Sequence, residues 1–379
     1  MQRVPVISPD NRPLMPTKAS RARRWIQSGK AQGFFNDLGQ FYVQLLKPPT
    51  DTRTQPIAVG IDPGKNYTGI GVVSSLFTLW TAHIELPFKR IRERMDNRRL
   101  TRRGRRGRRI DRKLPFNRRA HRQKRFSNRK QGKLPPSIRA NRQLEIRVVS
   151  ELSKIFPITD IYFEYVKADV DLTSGRVSAK SGKGFSPVMV GQKWAVEQLE
   201  RFGTIHTRFG WQTANLRKHL GLEKSKKKSE RSFNSHAVDG VTLACFRFLD
   251  YRPFQTANGH GHEWTGSVTL TPSPLAVIKR PPISRRQLHL MVPAKGGVRR
   301  KYGGTTTKFG LRKGDLVDSP KGIGYVSGQT ERQLSVSDAN WKRLGQIASS
   351  KVTLIRRSTG LIVTYYSGVQ SYEVQCHEL

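Results

Sequence analysis

The rhythm of hydrophobic and polar positions changes several times along the chain. Residues 56–85 carry three short runs, IAVGID, TGIGVVSS and TLWTAHIEL, rich in β-branched and aromatic residues and separated by Gly and Asn. That texture predicts three consecutive strands. QFYVQLL (40–46), IYFEYV (161–166) and IHTRFG read as further strands. In SIRANRQLEIRVVSELSKIF, Ile138, Leu144, Val148, Leu152 and Ile155 recur at near-helical spacing. In SHAVDGVTLACFRFL, Val238, Val241, Cys245 and Leu249 share one helical face, and WAVEQLERFG reads as another helix. Near the start, Ser20 as N-cap and Gly29 as stop bound a short basic helix. LTSGRVSAKSGKGFSP and KSKKKSERS read as loops, and PFQTANGHGHEWTGS as a linker in which HGH at 260–262 is solvated. Beyond it, GDLVDS, GIGYVS, KVTLIRR and GLIVTYY predict a small, mostly β barrel.

One stretch has no such pattern. From Lys89 to Lys130 there are 21 Lys/Arg against three acids, Glu93, Asp96 and Asp111. Its first half has no proline and reads as a helix with cationic surface on most sides, ended by Pro115. The whole chain of 379 residues holds 70 Lys+Arg against 27 Asp+Glu, a net charge of +43. A chain this basic repels itself unless an anion neutralises it. That disfavours a metabolic enzyme for small neutral substrates and favours a nucleic-acid partner. The length allows two or three domains, and 36% hydrophobic residues suffice for cores if the basic ones gather elsewhere. Two cysteines, Cys245 and Cys376, exclude a disulfide framework and a Cys-x-x-Cys zinc site. No run approaches the roughly 18 apolar residues needed to cross a bilayer, and the start lacks a secretory h-region. The expectation is a cytoplasmic protein without a membrane partner.

Three acids stand where acids are awkward. Asp62 ends an apolar strand, Glu164 interrupts another, and Asp239 lies on a helix otherwise rich in apolar residues, three positions after His236. Each alone has an ordinary explanation: an Asp before Pro-Gly is commonly a turn residue, Glu164 could face water at an edge, and His-x-x-Asp is commonly a solvated pair. Together they suggest convergence, and converging buried carboxylates must be paired or hold a cation. Three carboxylates and an imidazole suit Mg²⁺, with Mn²⁺ as substitute, better than zinc. Two such ions can activate a water and stabilise the leaving oxygen of a phosphodiester.

The order of these motifs carries a resemblance. GIDPGKNYTGIGVV, YFEYV and SHAVDG resemble the three split motifs of a RuvC-type, RNase H-like nuclease. PLMP near the start, the DPG motif, the arginine-rich helix, LPPSI, the Glu strand, GWQTANLRKHLGL and the His-x-x-Asp helix together resemble the IscB group of transposon-encoded, RNA-guided nucleases. IscB proteins carry an HNH nuclease before the last motif. Here about 70 residues separate Glu164 from His236, with no cysteine and only His206 and His219, so the chain resembles IsrB, the HNH-less branch.

That resemblance implies an α/β fold: an RNase H-like (RuvC) core split by an arginine-rich bridge helix. A PLMP domain (1–50) would precede RuvC parts at 51–88, 131–190 and 191–252, with the bridge at 89–130 and a β-rich domain at 253–379. It implies a single metal site at Asp62, Glu164, His236 and Asp239, a nick in the displaced strand, and an omega-type guide RNA in a monomeric ribonucleoprotein that meets double-stranded DNA at the prokaryotic nucleoid. Arg98, Arg99, Arg102, Arg103, Arg105, Arg106, Arg108 and Arg109 are the expected RNA contacts, by charge and backbone shape. Arg285, Arg286, Gln287, Arg299, Arg300, Lys301 and Lys308 are the expected readers of a flanking DNA motif. Two rivals share part of this evidence. A guide-independent Holliday-junction-type nuclease leaves the arginine segment without a purpose, and an RNA-guided binder without cleavage leaves the acids without one.

Overall fold

The structure, a computed structural model, describes residues 2–108, 110–119, 134–166, 187–256, 259–283, 291–292, 298–299 and 305–366. The chain forms two compact units. One comprises Met1–Leu86, Ile138–Lys279 and Val363–Leu379, the other Pro87–Ser137 and Arg280–Ile362.

The first unit opens with β1 (Arg3–Ile7), β2 (Pro13–Lys18), α1 (Ala19–Gln27), β3 (Ala31–Phe35) and β4 (Phe41–Leu45). The strands form a sheet in the order β2-β1-β4-β3 around Val6, Leu14, Ala22, Ala31 and Val43. PLMP is therefore strand. Helix α1 stops before Gly29, whose φ of +66° suits a residue without Cβ. Ser20 lies inside that helix and does not cap it; the flanking residue is Lys18.

The three strands expected over 56–85 follow as a meander, β5 (Ile57–Pro63), β6 (Tyr67–Ser74) and β7 (Thr78–Glu85), each antiparallel to the next. The chain passes through α2 (Phe88–Arg108) of the second unit and returns with α3 (Pro136–Ser153), β8 (Asp160–Glu164), α4 (Pro187–Leu199), β9 (Thr204–Arg208) and α5 (Gly210–His219). A π-helical turn, Phe233–Ala237, runs directly into α6 (Val238–Cys245). Next come β10 (Leu249–Thr256), β11 (Gly259–Gly266) and β12 (Leu275–Lys279). The segment expected to be a linker is thus an antiparallel ribbon, paired from Leu249↔Gly266 to Thr256↔Gly259. Its side chains lack apolar alternation, which hid the pairing.

In the second unit α2 runs for 21 residues, about 31 Å at 1.5 Å per residue, and stops well before Pro115. Two-residue strands β13 (Met291–Val292) and β14 (Val298–Arg299) pair with each other. Strands β15 (Leu316–Asp318), β16 (Gly324–Gln329), β17 (Gln333–Ser337), β18 (Arg343–Ala348) and β19 (Thr353–Arg356) form an antiparallel sheet in the order β18-β17-β16-β15-β19, cored by Val317, Val326, Leu334, Val336 and Ile347.

The last strand, β20 (Ile362–Tyr366), completes the main sheet of the first unit, ordered β20-β12-β7-β6-β5-β8-β9. The stretch 253–379 is accordingly divided between the two units. Pairings β5–β8, β8–β9 and β7–β12 are parallel. Along one face lie α5 and α6, burying Ala58, Val73, Leu216, Val238, Val241 and Cys245. Helix α6 meets the sheet glycine to glycine. A Cβ on Gly60 would fall on the Gly240 carbonyl, one on Gly71 on the Val241 amide, and one on Gly69 on the His236 carbonyl. Among the described residues no helix is long and apolar enough to cross a membrane.

Candidate active site

Sheet register brings the expected acids together. In the parallel pair β5–β8, Gly60 faces Tyr162 and Ile61 faces Phe163. One step further along that register, Asp62 stands beside Glu164, both on the face that α6 covers. Across β6, Asp62 pairs with Gly69, and Gly69 pairs with His83 of β7. The bare Gly69 leaves room for the π-helical turn, so His236 lies over it between Asp62 and His83. Its Nδ1 is 3.4 Å from Asp62 Oδ2, and its ring lies 5.5 Å from that of His83. Asp239 sits in the first turn of α6, where a carboxylate also suits the helix dipole.

These side chains are largely withdrawn from solvent. Asp62 retains 8% exposure, His236 7% and Asp239 2%. Glu164 is half-buried, and burial first, then the charges of Asp62 and Asp239, push its pKa up to about 7; the Thr213 hydroxyl and Lys224 work the other way. The negative charge is met by two cations. Arg217 Nη1 holds Asp239 Oδ1 at 2.5 Å. Lys224 Nζ bonds Asp239 Oδ2 and lies 3.8 Å from Asp62 Oδ2. Burial disfavours the Lys224 ammonium, but Asp62 and Asp239 outweigh it and raise its pKa above the ordinary lysine value.

Among the described residues, no three His, Cys, Asp or Glu side chains stand close enough to share one ion. The donor chemistry nevertheless fits a hard divalent cation: carboxylates converge, a cation already bridges two of them, and His236 Nε2 is buried without a hydrogen-bond partner.

Three participants went unnoticed in the sequence. Glu145 of α3 is 1% exposed, accepts a 2.5 Å hydrogen bond from Thr68 and pairs with Arg142 at 2.7 Å. Burial raises its pKa against the pull of Arg142 and Thr68, and the charge of Asp62 adds to the rise. From the same helix Arg142 donates to the Gly64 carbonyl and Asn141 to the Lys65 carbonyl. So α3 clamps the turn that follows Asp62. The available signal was an acid in the apolar stripe, at the spacing Glu145, Val148, Val149, Leu152. His83 is fully buried with neither ring nitrogen hydrogen-bonded, and burial, then the neighbouring His236 and Arg231, lowers its pKa to about 4. It is neutral at physiological pH. Lys224 is the third.

Of the expected RNA contacts, Arg99, Arg102, Arg103 and Arg105 are exposed on α2 and Arg98 is half-buried. Arg109 lies outside the described residues, as do the side chains of Arg106 and Arg108. The start of α2 is fixed within its own unit by Arg90 to the Pro281 carbonyl and Arg94 to the Ile283 carbonyl. Among the expected DNA readers, Arg285, Arg286, Gln287, Arg300 and Lys301 lie outside the described residues, as does the Arg299 side chain; Lys308 is exposed. Trp80 is core, whereas Trp211 is 64% exposed in a cleft shared with Glu164, Tyr165 and Phe209.

Nothing among the curated proteins matches the sequence. Two solved structures of RuvC are similar. Thermus thermophilus RuvC in complex with Holliday junction substrate is 13% identical, with a TM-score of 0.26, over 50% of this chain and 90% of that one. A second Thermus thermophilus RuvC structure is 14% identical, with a TM-score of 0.25 and the same coverage. Residues 4–184, just under half of the chain, match the model of the family described as RRXRR protein.

Proposed function

We propose that this chain is a metal-dependent DNA endonuclease of the RuvC-like class, directed by a guide RNA and cutting one strand at a single site. The observation that carries this reading is the convergence of Asp62, Glu164, Asp239 and His236 on one sheet face under α6. The order β7-β6-β5-β8-β9, with only β6 reversed, fits an RNase H-like core. The RRXRR match over 4–184, the +43 charge and the exposed arginines of α2 support a nucleic-acid partner, and the motif order supports the IsrB group and its omega-type RNA.

Asp62, Glu164 and Asp239, with His236, would hold Mg²⁺ ions. Once bound, these would supply an activated water and neutralise the leaving oxygen. The protein contributes the rest. Arg217 keeps Asp239 aimed, and the α3 clamp fixes the backbone that carries Asp62. His236, its Nδ1 turned to Asp62 Oδ2, would serve through Nε2 as a ligand or position the water, while the neutral His83 ring backs it without adding charge. A single site cuts one strand. By the same resemblance that strand is the displaced, non-target one, and residues 285–313 supply the flanking-motif contacts.

The test is Glu164→Gln, which keeps shape and removes charge. Mg²⁺-dependent nicking should fall more than about a hundredfold, while guide-dependent DNA binding in a gel shift persists. Retained nicking would sink the site assignment. Nicking of junctions or duplexes by RNA-free protein would favour the guide-independent rival, and double-strand breaks would contradict a single site.

A further inference from the structure

Lys224 stands where the site reading calls for a cation. Its ammonium bonds Asp239 Oδ2 and lies 3.8 Å from Asp62 Oδ2, the same oxygen that faces His236. The other oxygen of Asp239 belongs to Arg217. The backbone that delivers Lys224 is held on both sides. Gly221 turns at φ +65°, Leu220 and Leu222 are buried, the Leu222 amide donates to the Arg217 carbonyl, and the Ser225 amide donates to the Asn234 carbonyl. The side chain itself retains 29% exposure, so its four-carbon stem has an open side towards which to swing.

We propose that Lys224 is a resident counter-ion, bridging Asp62 and Asp239 in the metal-free protein and displaced from them when a divalent cation binds. This rests on the metal-site reading above and adds to it a competition within the chain. Buried carboxylates side by side repel one another unless a cation intervenes. Lys224 therefore keeps the site assembled before loading. A divalent ion on the same oxygens faces like-charge repulsion from the ammonium, and the two cannot share one lone pair. Lysine suits a part that must leave, being a point charge on a flexible stem; Arg217, a rigid fork, suits the part that stays.

The consequence is a pair of effects of opposite sign. Lys224→Gln should bind divalent cation more tightly, and without metal it should be less stable. Mn²⁺ alone is the probe, with the full chain, free Mn²⁺ counted by electron paramagnetic resonance and unfolding followed in EDTA. Mn²⁺ affinity should rise about tenfold or more, and the melting temperature in EDTA should fall by several degrees. Lys224→Arg, which keeps the charge, should show neither gain in affinity nor comparable loss of stability. Unchanged or weaker Mn²⁺ binding by Lys224→Gln with a native near-UV spectrum overturns the proposal. If Lys224→Gln loses that spectrum in EDTA, recovery on adding Mn²⁺ supports it and failure to recover overturns it. Should wild type, Lys224→Gln and Asp62→Asn all ignore Mn²⁺ alike, the metal reading falls and the competition with it.

Discussion

Beneath α6, acids and imidazoles are held by backbone packed against backbone, with Gly60, Gly69, Gly71 and Gly240 leaving no room for a side chain between helix and sheet. Along α2 the opposite holds. Arg99, Arg102, Arg103 and Arg105 are exposed, Gly104 has nothing within reach of a Cβ, and the ion pair between Arg99 and Asp96 is long, at 3.9 Å. The first region spends packing precision on charges that must sit at fixed separations. The second holds charge at a density and leaves its exact placement to a partner. Phosphates along a nucleic acid reward density; a hydrolytic centre rewards placement.

Glycine substitution should expose the contrast most strongly. Gly60→Ala puts a Cβ onto the Gly240 carbonyl and should cost about 3 kcal/mol or more, read as a lower denaturant midpoint. Gly104→Ala meets open space in a helix interior and should stabilise α2 by about 0.5–1 kcal/mol, seen as added helical signal. The same sign at both positions would break the comparison.

A pH series tests the acidic region next. The folded protein holds the Glu164 proton up to about pH 7, against an ordinary value of 4.5. Its contribution to stability is therefore fully present below pH 4.5 and lost as pH rises through about 7, on the order of 1–3 kcal/mol. Metal-free wild type should lose that stability across the window, and Glu164→Gln should lack the slope. Divalent-cation affinity should rise through the same window, because the carboxyl must shed its proton to act as a ligand.

The smallest effect on stability belongs to α2. Changing Arg102, Arg103 and Arg105 together to Gln should shift unfolding by no more than about 0.5 kcal/mol. Guide-RNA affinity should nevertheless drop, and its logarithmic salt slope should flatten by about 2. An unchanged slope would remove α2 from the RNA contacts.

What the sequence disclosed follows the same division. Asp62 and Glu164 were legible because a carboxylate closing an apolar strand is anomalous, and the three runs within 56–85 form β5, β6 and β7. Lys224 was not, because it opens a run of lysines that reads as a solvated loop; only the buried Leu220 and Leu222 before it turn it inward. His83 was hidden in TLWTAHIEL, where its lack of hydrogen-bond partners is a tertiary property. The ribbon β10–β11 was hidden because its pairing is a matter of backbone, while GHGHEW offers no apolar alternation. The π-helical turn has no sequence period to detect, since it exists to seat His236 over Gly69.

Strand β20 has a consequence in time. It lies beyond residue 360, yet it is an edge of the sheet that begins at Ile57, and Tyr365 ties that edge inward, accepting from Trp80 and donating to the Leu38 carbonyl. A chain emerging from the ribosome at roughly 5–20 residues per second therefore exposes the arginines of α2 long before α6, β12 and β20 arrive to finish the acidic centre. Under the proposed function, synthesis order alone makes the basic segment available to a nucleic acid before the acidic centre is complete.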